Sequence, residues 1–218
     1  MKVSREKAAQ HRGAIVDAAG RLFRARGFND VSVAEITRAA GLTHGGFYGH
    51  FASKEALARD ACEQVFAAAV ARLRADGEAA GLEGFVTSYL SEGHRDRRDR
   101  DCPLVALATE VLGQDLSVQA RFAAGTRRFA EALQQRLPAG AAPGEPAAAR
   151  PRPEATPAER PAPPEESGRR ERALLVLSAL VGGLALARAA GQADPELSRE
   201  IMDALRAQLL PLVAAPEG

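Results

Sequence analysis

Gly41-Leu-Thr-His-Gly-Gly-Phe-Tyr-Gly-His-Phe51, followed at once by Ser53-Lys54-Glu55-Ala56-Leu57, is the stretch whose reading decides the fold. It opens on a glycine turn and runs into a short segment crowded with hydrogen-bonding groups and almost free of bulk. A helix of that kind makes a poor core element and a good probe for a DNA groove. Just upstream, Ser32-x-x-Glu35 is a capping box that starts another helix, which should end at Gly41. Two helices joined by a short glycine-containing turn form a helix-turn-helix, here 33–40 and 43–50 within a unit of about 33–52. Leu42, Phe47 and Phe51 are its apolar positions, expected to lock onto the first helix through Leu22, Phe23 and Phe28.

Groove chemistry assigns roles to the polar residues. A helix N-terminus with its capping hydroxyl favours a phosphate oxygen, which suits Thr43 and, on the preceding helix, Ser32. Tyr48 and His50 can donate to backbone phosphates, and Lys54 adds a point charge; such contacts position a protein without reading sequence. His44 is the one large polar side chain near the helix start and is the candidate for a base edge. It stands four residues from Tyr48, hence on one face. Gly45-Gly46 costs about 1 kcal/mol per residue relative to alanine in a helix interior. One reading is close approach of the backbone to DNA, with specificity leaning on DNA shape. The other is a poorly optimised helix held by its neighbours.

The rest of the chain reads as helical. A first helix at 4–26 carries the stripe Ile15, Ala18, Ala19, Leu22 and Phe23, and Gly27 stops it. Ser53 caps a fourth, reaching about residue 75. A fifth is marked by Leu82, Phe85, Val86, Tyr89 and Leu90, and a polar break follows at 94–101. A sixth is marked by Leu104, Leu107, Ala108, Val111 and Leu112, and a seventh, 117–137, carries Phe122 and Phe129. Residues 138–168 hold nine of the thirteen prolines and cannot form a core. A mobile connector is expected there, with a groove-binding ligand around Pro161 and Pro163 as the other reading. Two helices close the chain, 169–190 and 195–210, with Asp194 as N-cap and Pro195 at the first helical position. The former is apolar nearly all round and must be covered on most faces, within one chain or shared with a second subunit. Strand signals are nearly absent, so the expected class is all-α with about nine helices.

Composition narrows the partners. The chain has no run of 18 apolar residues, and its most apolar stretch, 173–187, reads as too short for a bilayer. The polar N-terminus suggests no secretory signal. Two cysteines, Cys62 and Cys102, make no disulfide framework and fit a reducing cytoplasm. The net charge of +1 hides an asymmetry, because residues 1–54 carry nine Lys/Arg against four acids. That basic quarter suits a polyanion.

Taken together, Ile15-x-x-Ala18-Ala19-x-x-Leu22-Phe23, Gly27-Phe28, Ser32-Val33-x-x-Ile36, Ala40-Gly41-Leu42, Phe47-Tyr48-x-His50-Phe51 and Ser53-Lys54-Glu55-Ala56-Leu57 resemble the N-terminal domain of the TetR/AcrR family of bacterial transcriptional regulators. Gly46 departs from the small hydroxyl or alanine that many members carry. The resemblance implies a DNA-binding domain at 8–70 and an effector-binding and dimerisation domain at 71–218. It implies an Ω-shaped cytoplasmic homodimer, nucleoid-associated when bound to a palindromic double-stranded operator, and usually a repressor released by a small molecule. It places the effector pocket among helices five to seven, where Phe85, Tyr89, Cys102, Leu107, Phe122 and Phe129 are candidates, although the aromatic ones also read as plain core. It places the dimer interface on the last two helices, where Leu177, Leu180, Leu184, Ile201 and Leu205 are candidates.

Other readings remain. Cys102 follows Arg95, Arg97, Arg98 and Arg100 at a helix start, a setting that lowers a thiol pKa, while Asp96, Asp99 and Asp101 oppose it. It is either an oxidant or electrophile sensor or a small apolar filler. His94 and Cys102, eight apart with no third ligand, are weak support for a metal. No Ser/His/Asp arrangement, phosphate loop or Glu-x-x-His pair suggests an enzyme, and no cofactor is expected. A protein-interaction module using the proline-rich loop would leave the basic N-terminal quarter unexplained.

Overall fold

The computed structural model describes residues 5–97, 102–138 and 164–214, except for the side chains of 44 and 164–166. The proline-rich segment expected at 138–168 therefore lies almost wholly outside the described residues, as do Arg98, Asp99, Arg100 and Asp101. Among the described residues the chain is all-helical: α1 (Arg5–Arg26), α2 (Val33–Ala39), α3 (Lys54–Tyr89), α4 (Glu92–Arg95), α5 (Pro103–Leu107), α6 (Leu116–Arg136), α7 (Pro164–Ala190) and α8 (Pro195–Val213). Two 3₁₀ turns, His44–Gly46 and Glu110–Gly113, interrupt the series.

Two expectations need correcting. Segment 43–50 is not an α-helix. Only His44–Gly46 is helical, in the 3₁₀ form, and turns follow it. With Gly45, Gly46 and Gly49 in eight residues, the backbone entropy cost is too large for a regular helix to form. The fourth and fifth helices stand as expected, joined end to end within α3 across Gly81, whose φ of 68° and ψ of −180° leave the helical region. The sixth helix is a single turn and a half, α5, before the 3₁₀ turn at Glu110–Gly113.

α1 and α3 bury the stripe that the sequence displays. Ile15, Ala18, Ala19 and Phe23 meet Leu57, Ala61 and Val65, all buried, and Gly20 lets Val65 approach the α1 backbone. Arg12 pairs with Asp60, and Gln64 donates to Asp17, along the edge of the same seam. Downstream, α3 packs on α6, where Gly125 faces the Phe66 ring so closely that a Cβ would overlap it. Glu63 accepts from Arg128 at 2.5 Å and sits 3.6 Å from Arg121 on that interface. α7 packs on α8 through Gly183, which seats Leu205. Ser198, fully buried, donates to the Ala187 carbonyl at 2.7 Å and accepts from Arg95 at 3.2 Å. Arg188 donates to the carbonyls of Arg95 and His94 at 2.8 and 3.0 Å, fixing α4 to α7.

Within Ser167–Ala190 an 18-residue window has mean hydropathy 2.0, long and apolar enough to cross a membrane by length and composition alone, and 39% of that window is buried within this chain, as the core helix of a soluble protein also can be. Leu174, Leu175 and Leu186 on α7 and Leu197 on α8 remain exposed.

Candidate nucleic-acid interface and internal cavity

The helix-turn-helix is anchored from both ends. Ser32 is the N-cap of α2: its Oγ accepts from Glu35 N at 3.2 Å, and the Glu35 carboxylate accepts from Ser32 N at 2.9 Å and Ser32 Oγ at 2.8 Å. The Ser32 hydroxyl is thus engaged within the cap. These bonds and the Arg26 guanidinium hold the Glu35 carboxyl down at about 2. Gly41, with φ of 71°, turns the chain out of α2, and Leu42 N returns to the Thr37 carbonyl at 2.9 Å. Phe47 and Phe51 are buried, their ring centroids 5.7 Å apart, and the Arg12 guanidinium lies 4.9 Å above the Phe51 ring. Phe23 and Phe28 pack at 5.0 Å beneath them in the same core. Ser53 then caps α3 by accepting from Ala56 N at 3.1 Å, which sets Lys54 at its first turn.

With those anchors fixed, the remaining side chains of the segment face outward. Tyr48 is 64% exposed, and Thr43 and Gly45 are exposed. His50 and Lys54 are half-buried, and His50 meets His11 edge to face at 6.3 Å. The His44 side chain, the candidate base reader, lies outside the described residues. A Cβ at Gly45 would meet nothing within 4 Å, and one at Gly46 only the Thr43 hydroxyl at 3.9 Å. Packing inside this chain therefore does not require either glycine.

A second feature lies among α1, α3, α5 and α6: a cavity of about 160 Å³ lined by Arg24, Val65, Ala68, Ala69, Arg72, Asp76, Phe85, Ser88, Tyr89, His94, Cys102, Pro103 and Phe129. Of the pocket candidates, Phe85, Tyr89, Cys102 and Phe129 line it. Leu107 is buried in the core, and Phe122 packs edge to face on Phe66 at 5.4 Å. The sequence reading missed the polar lining, Arg24, Arg72, Asp76 and His94. His94 was visible as part of a charged break and, with Cys102, as weak support for a metal, but its place in the cavity depends on residues far away in sequence. Its ring stacks on Tyr89 at 4.7 Å, and its Nε2 is buried without a hydrogen-bond partner. Burial pushes its pKa down to about 4, and the charges of Arg188, Arg72 and Arg97 add to that. Cys62, in contrast, is a packing residue whose thiol burial pushes up to about 12.

The cavity and the helix-turn-helix meet at the end of α1. Arg24 lines the cavity. Three residues on, Gly27 (φ 82°) has no room for a Cβ because the Glu110 carboxylate lies against it. Gln114 donates to Asn29 at 3.3 Å across the same junction.

Of the candidate interface residues on the last two helices, Leu177, Leu180 and Leu184 are already buried within one chain. Ile201 and Leu205 are half-buried.

These features define an all-helical protein, among the described residues, with an N-terminal helix-turn-helix domain. Residues 15–61 match the profile of bacterial regulatory proteins of the tetR family. The N-terminal domain is therefore of the tetR type, a DNA-binding helix-turn-helix of transcription regulators. None of the curated proteins matches the sequence. The whole fold is shared with solved tetR-family regulators from Cytophaga hutchinsonii (17% identity, TM-score 0.68, all of both chains covered) and Chloroflexus aurantiacus (22%, 0.68, covering 94% of this chain and 95% of that one). It is also shared with reduced NemR of E. coli (19%, 0.69, covering 94% and 99%).

Proposed function

We propose that this protein is a homodimeric repressor that binds a palindromic operator through residues 43–54 and leaves it when a small molecule occupies the cavity. The observation that carries the DNA-binding reading is the division within the segment: Phe47 and Phe51 are buried while Thr43, Gly45 and Tyr48 face out. The segment is fixed from beneath and presents donors and bare backbone above. Thr43, Tyr48, His50 and Lys54 hold phosphates, Gly45 and Gly46 let the backbone approach the groove, and His44 reads a base edge. At Ser32 a phosphate contact falls to the backbone at the start of α2, because the hydroxyl is engaged by Glu35.

Release by an effector follows from the junction. Arg24 belongs to the helix that seats the helix-turn-helix and also lines the cavity. A ligand that binds better to one setting of α1 shifts the population toward that setting, by as much as its differential affinity allows. The second subunit covers the exposed leucines of α7 and α8, with Ile201 at the edge of that face.

The test is binding of the purified protein to its own promoter-proximal DNA at two salt concentrations, with footprinting. Saturable, salt-sensitive binding that protects a palindrome with half-site centres about 34–36 Å apart, or a multiple of that, is the expected result. Equal, weak binding to that DNA and to random DNA would overturn the reading.

A further inference from the structure

The lining of the cavity divides by exposure, and the division decides what kind of molecule it holds. Arg72 and Ser88 are exposed and Asp76 is half-buried, so these three form a rim in contact with solvent. Val65, Phe85, Tyr89, Cys102, Pro103 and Phe129 are all buried and form the floor. Within that floor the ring centroids of Phe85 and Tyr89 lie 5.7 Å apart and those of Phe85 and Phe129 6.4 Å, so α3 and α6 contribute three rings to one wall. At about 160 Å³ the space is that of one ring, since a cavity of about 150 Å³ accepts benzene.

The charged groups of the lining do not select a charged occupant. Arg72 pairs with Asp76 at 3.5 Å along α3, and both side chains stay in solvent, 49% and 40% exposed. Arg24 is half-buried and engaged within the chain. Burial keeps His94 neutral, and its Nε2 is enclosed by protein atoms, not turned to the cavity. A charged ligand on this floor would give up its hydration and meet no opposite charge there, which is costly. A neutral apolar ring loses no such hydration. It gains the burial of its own surface and offset or edge-to-face contact with three aromatic rings.

We propose that the effector is a neutral compound with a single apolar ring, seated on the floor of the cavity against Phe85, Tyr89 and Phe129. This deepens the effector reading above and rests on it. It specifies the charge and the size of the ligand.

Toluene is the probe, with benzoate as its charged counterpart of similar size and naphthalene as its two-ring counterpart. Calorimetry and thermal unfolding of the full chain should show toluene binding at least about tenfold tighter than benzoate, and tighter than naphthalene. Ala69→Leu fills space at a half-buried position of the lining, so toluene affinity should fall about tenfold with the unfolding midpoint of the free protein retained. Phe129→Leu removes one ring from the wall and should weaken toluene independently of the first variant. Arg72→Met changes only the rim and should leave toluene affinity within about twofold. Benzoate or naphthalene binding as tightly as toluene, or toluene binding unchanged in both Ala69→Leu and Phe129→Leu, would overturn the proposal. DNA release is scored separately in the same preparation. Toluene binding that leaves operator affinity unchanged would refute the effector role and keep the ligand class. Release by benzoate alone would keep the effector role and refute the ligand class.

Discussion

Arg26 Nη1 donates to Glu35 Oε1 at 2.8 Å while Oε2 of the same carboxylate accepts from Ser32 N at 2.9 Å. One side chain thus both caps α2 and ties it to the end of α1, so the capping box also sets the angle between two helices of the DNA-binding domain.

That relationship makes the domain acid-sensitive. The folded Glu35 carboxyl titrates at about 2, below its ordinary value of 4.5, mainly through the Ser32 bonds and then through Arg26. A depressed carboxylate pKa stabilises the fold above the unfolded value, and that contribution is lost as pH falls from about 4.5 toward 2. Denaturant unfolding at pH 7, 4.5 and 3 should show a shallower acid loss in Glu35→Gln than in the parent. Ser32→Ala should cost about 1 kcal/mol at neutral pH. Parallel acid profiles for parent and Glu35→Gln would refute the assignment.

His94 gives a second titration. Its folded pKa is depressed by burial, so below the ordinary value of 6.5 the unfolded chain takes up a proton that the native state resists. Stability held above pH 6.5 should decline as pH falls toward about 4, and His94→Phe should remove that component. Unfolding midpoints that fall equally in parent and variant between pH 6.5 and 4.5 would contradict it.

The glycines separate folding from binding. Gly125→Ala drives a methyl into Phe66 and should destabilise the α3–α6 interface by about 1–3 kcal/mol. Gly45→Ala and Gly46→Ala meet open space, so unfolding midpoints should move by no more than about 0.5 kcal/mol. Operator affinity should nonetheless fall, because the added methyl keeps the backbone from the groove. A fall in stability with unchanged DNA affinity would favour the packing explanation for the pair.

What the sequence made legible follows from how local each signal is. The capping box at Ser32 and Glu35, the stop at Gly27 and the Asp194-Pro195 start are contained within a few residues, and each stands where its pattern predicts. The stripe from Ile15 to Phe23 is equally local and is buried except for the half-buried Leu22. The break between the fourth and fifth helices falls at Gly81, where the backbone leaves the helical region. The three glycines of 45–49 misled, since neighbours at Phe47 and Phe51 hold a segment that need not be helical. The polar half of the cavity was illegible because Arg24, Arg72 and His94 converge from separate elements.

Phosphate and base contacts should be separable by salt. Tyr48→Ala and Lys54→Ala should weaken binding to specific and random DNA alike, and Lys54→Ala should reduce the slope of log affinity against log salt by about 1. His44→Ala should change sequence preference and leave the slope near its parent value. If all three variants weaken binding uniformly, His44 is a positioning residue and reads no base.

The last two helices hold two kinds of leucine, and the dimer proposal treats them differently. Leu180 and Leu184 are buried within one chain, so Leu180→Ala should cost about 2–5 kcal/mol of folding stability whatever the oligomeric state. Leu175 and Leu186, 51% and 62% exposed, have little to lose inside the monomer. Placing a charge there, as in Leu175→Glu with Leu186→Glu, leaves the single-chain core intact but puts carboxylates into an apolar contact between subunits. Sedimentation should show the parent as a dimer and the double variant as a folded monomer with unchanged helix content. Operator affinity should fall by orders of magnitude, since each half-site then binds alone and the gain in effective concentration from linkage is gone. A double variant that remains dimeric would move the interface off this face of α7.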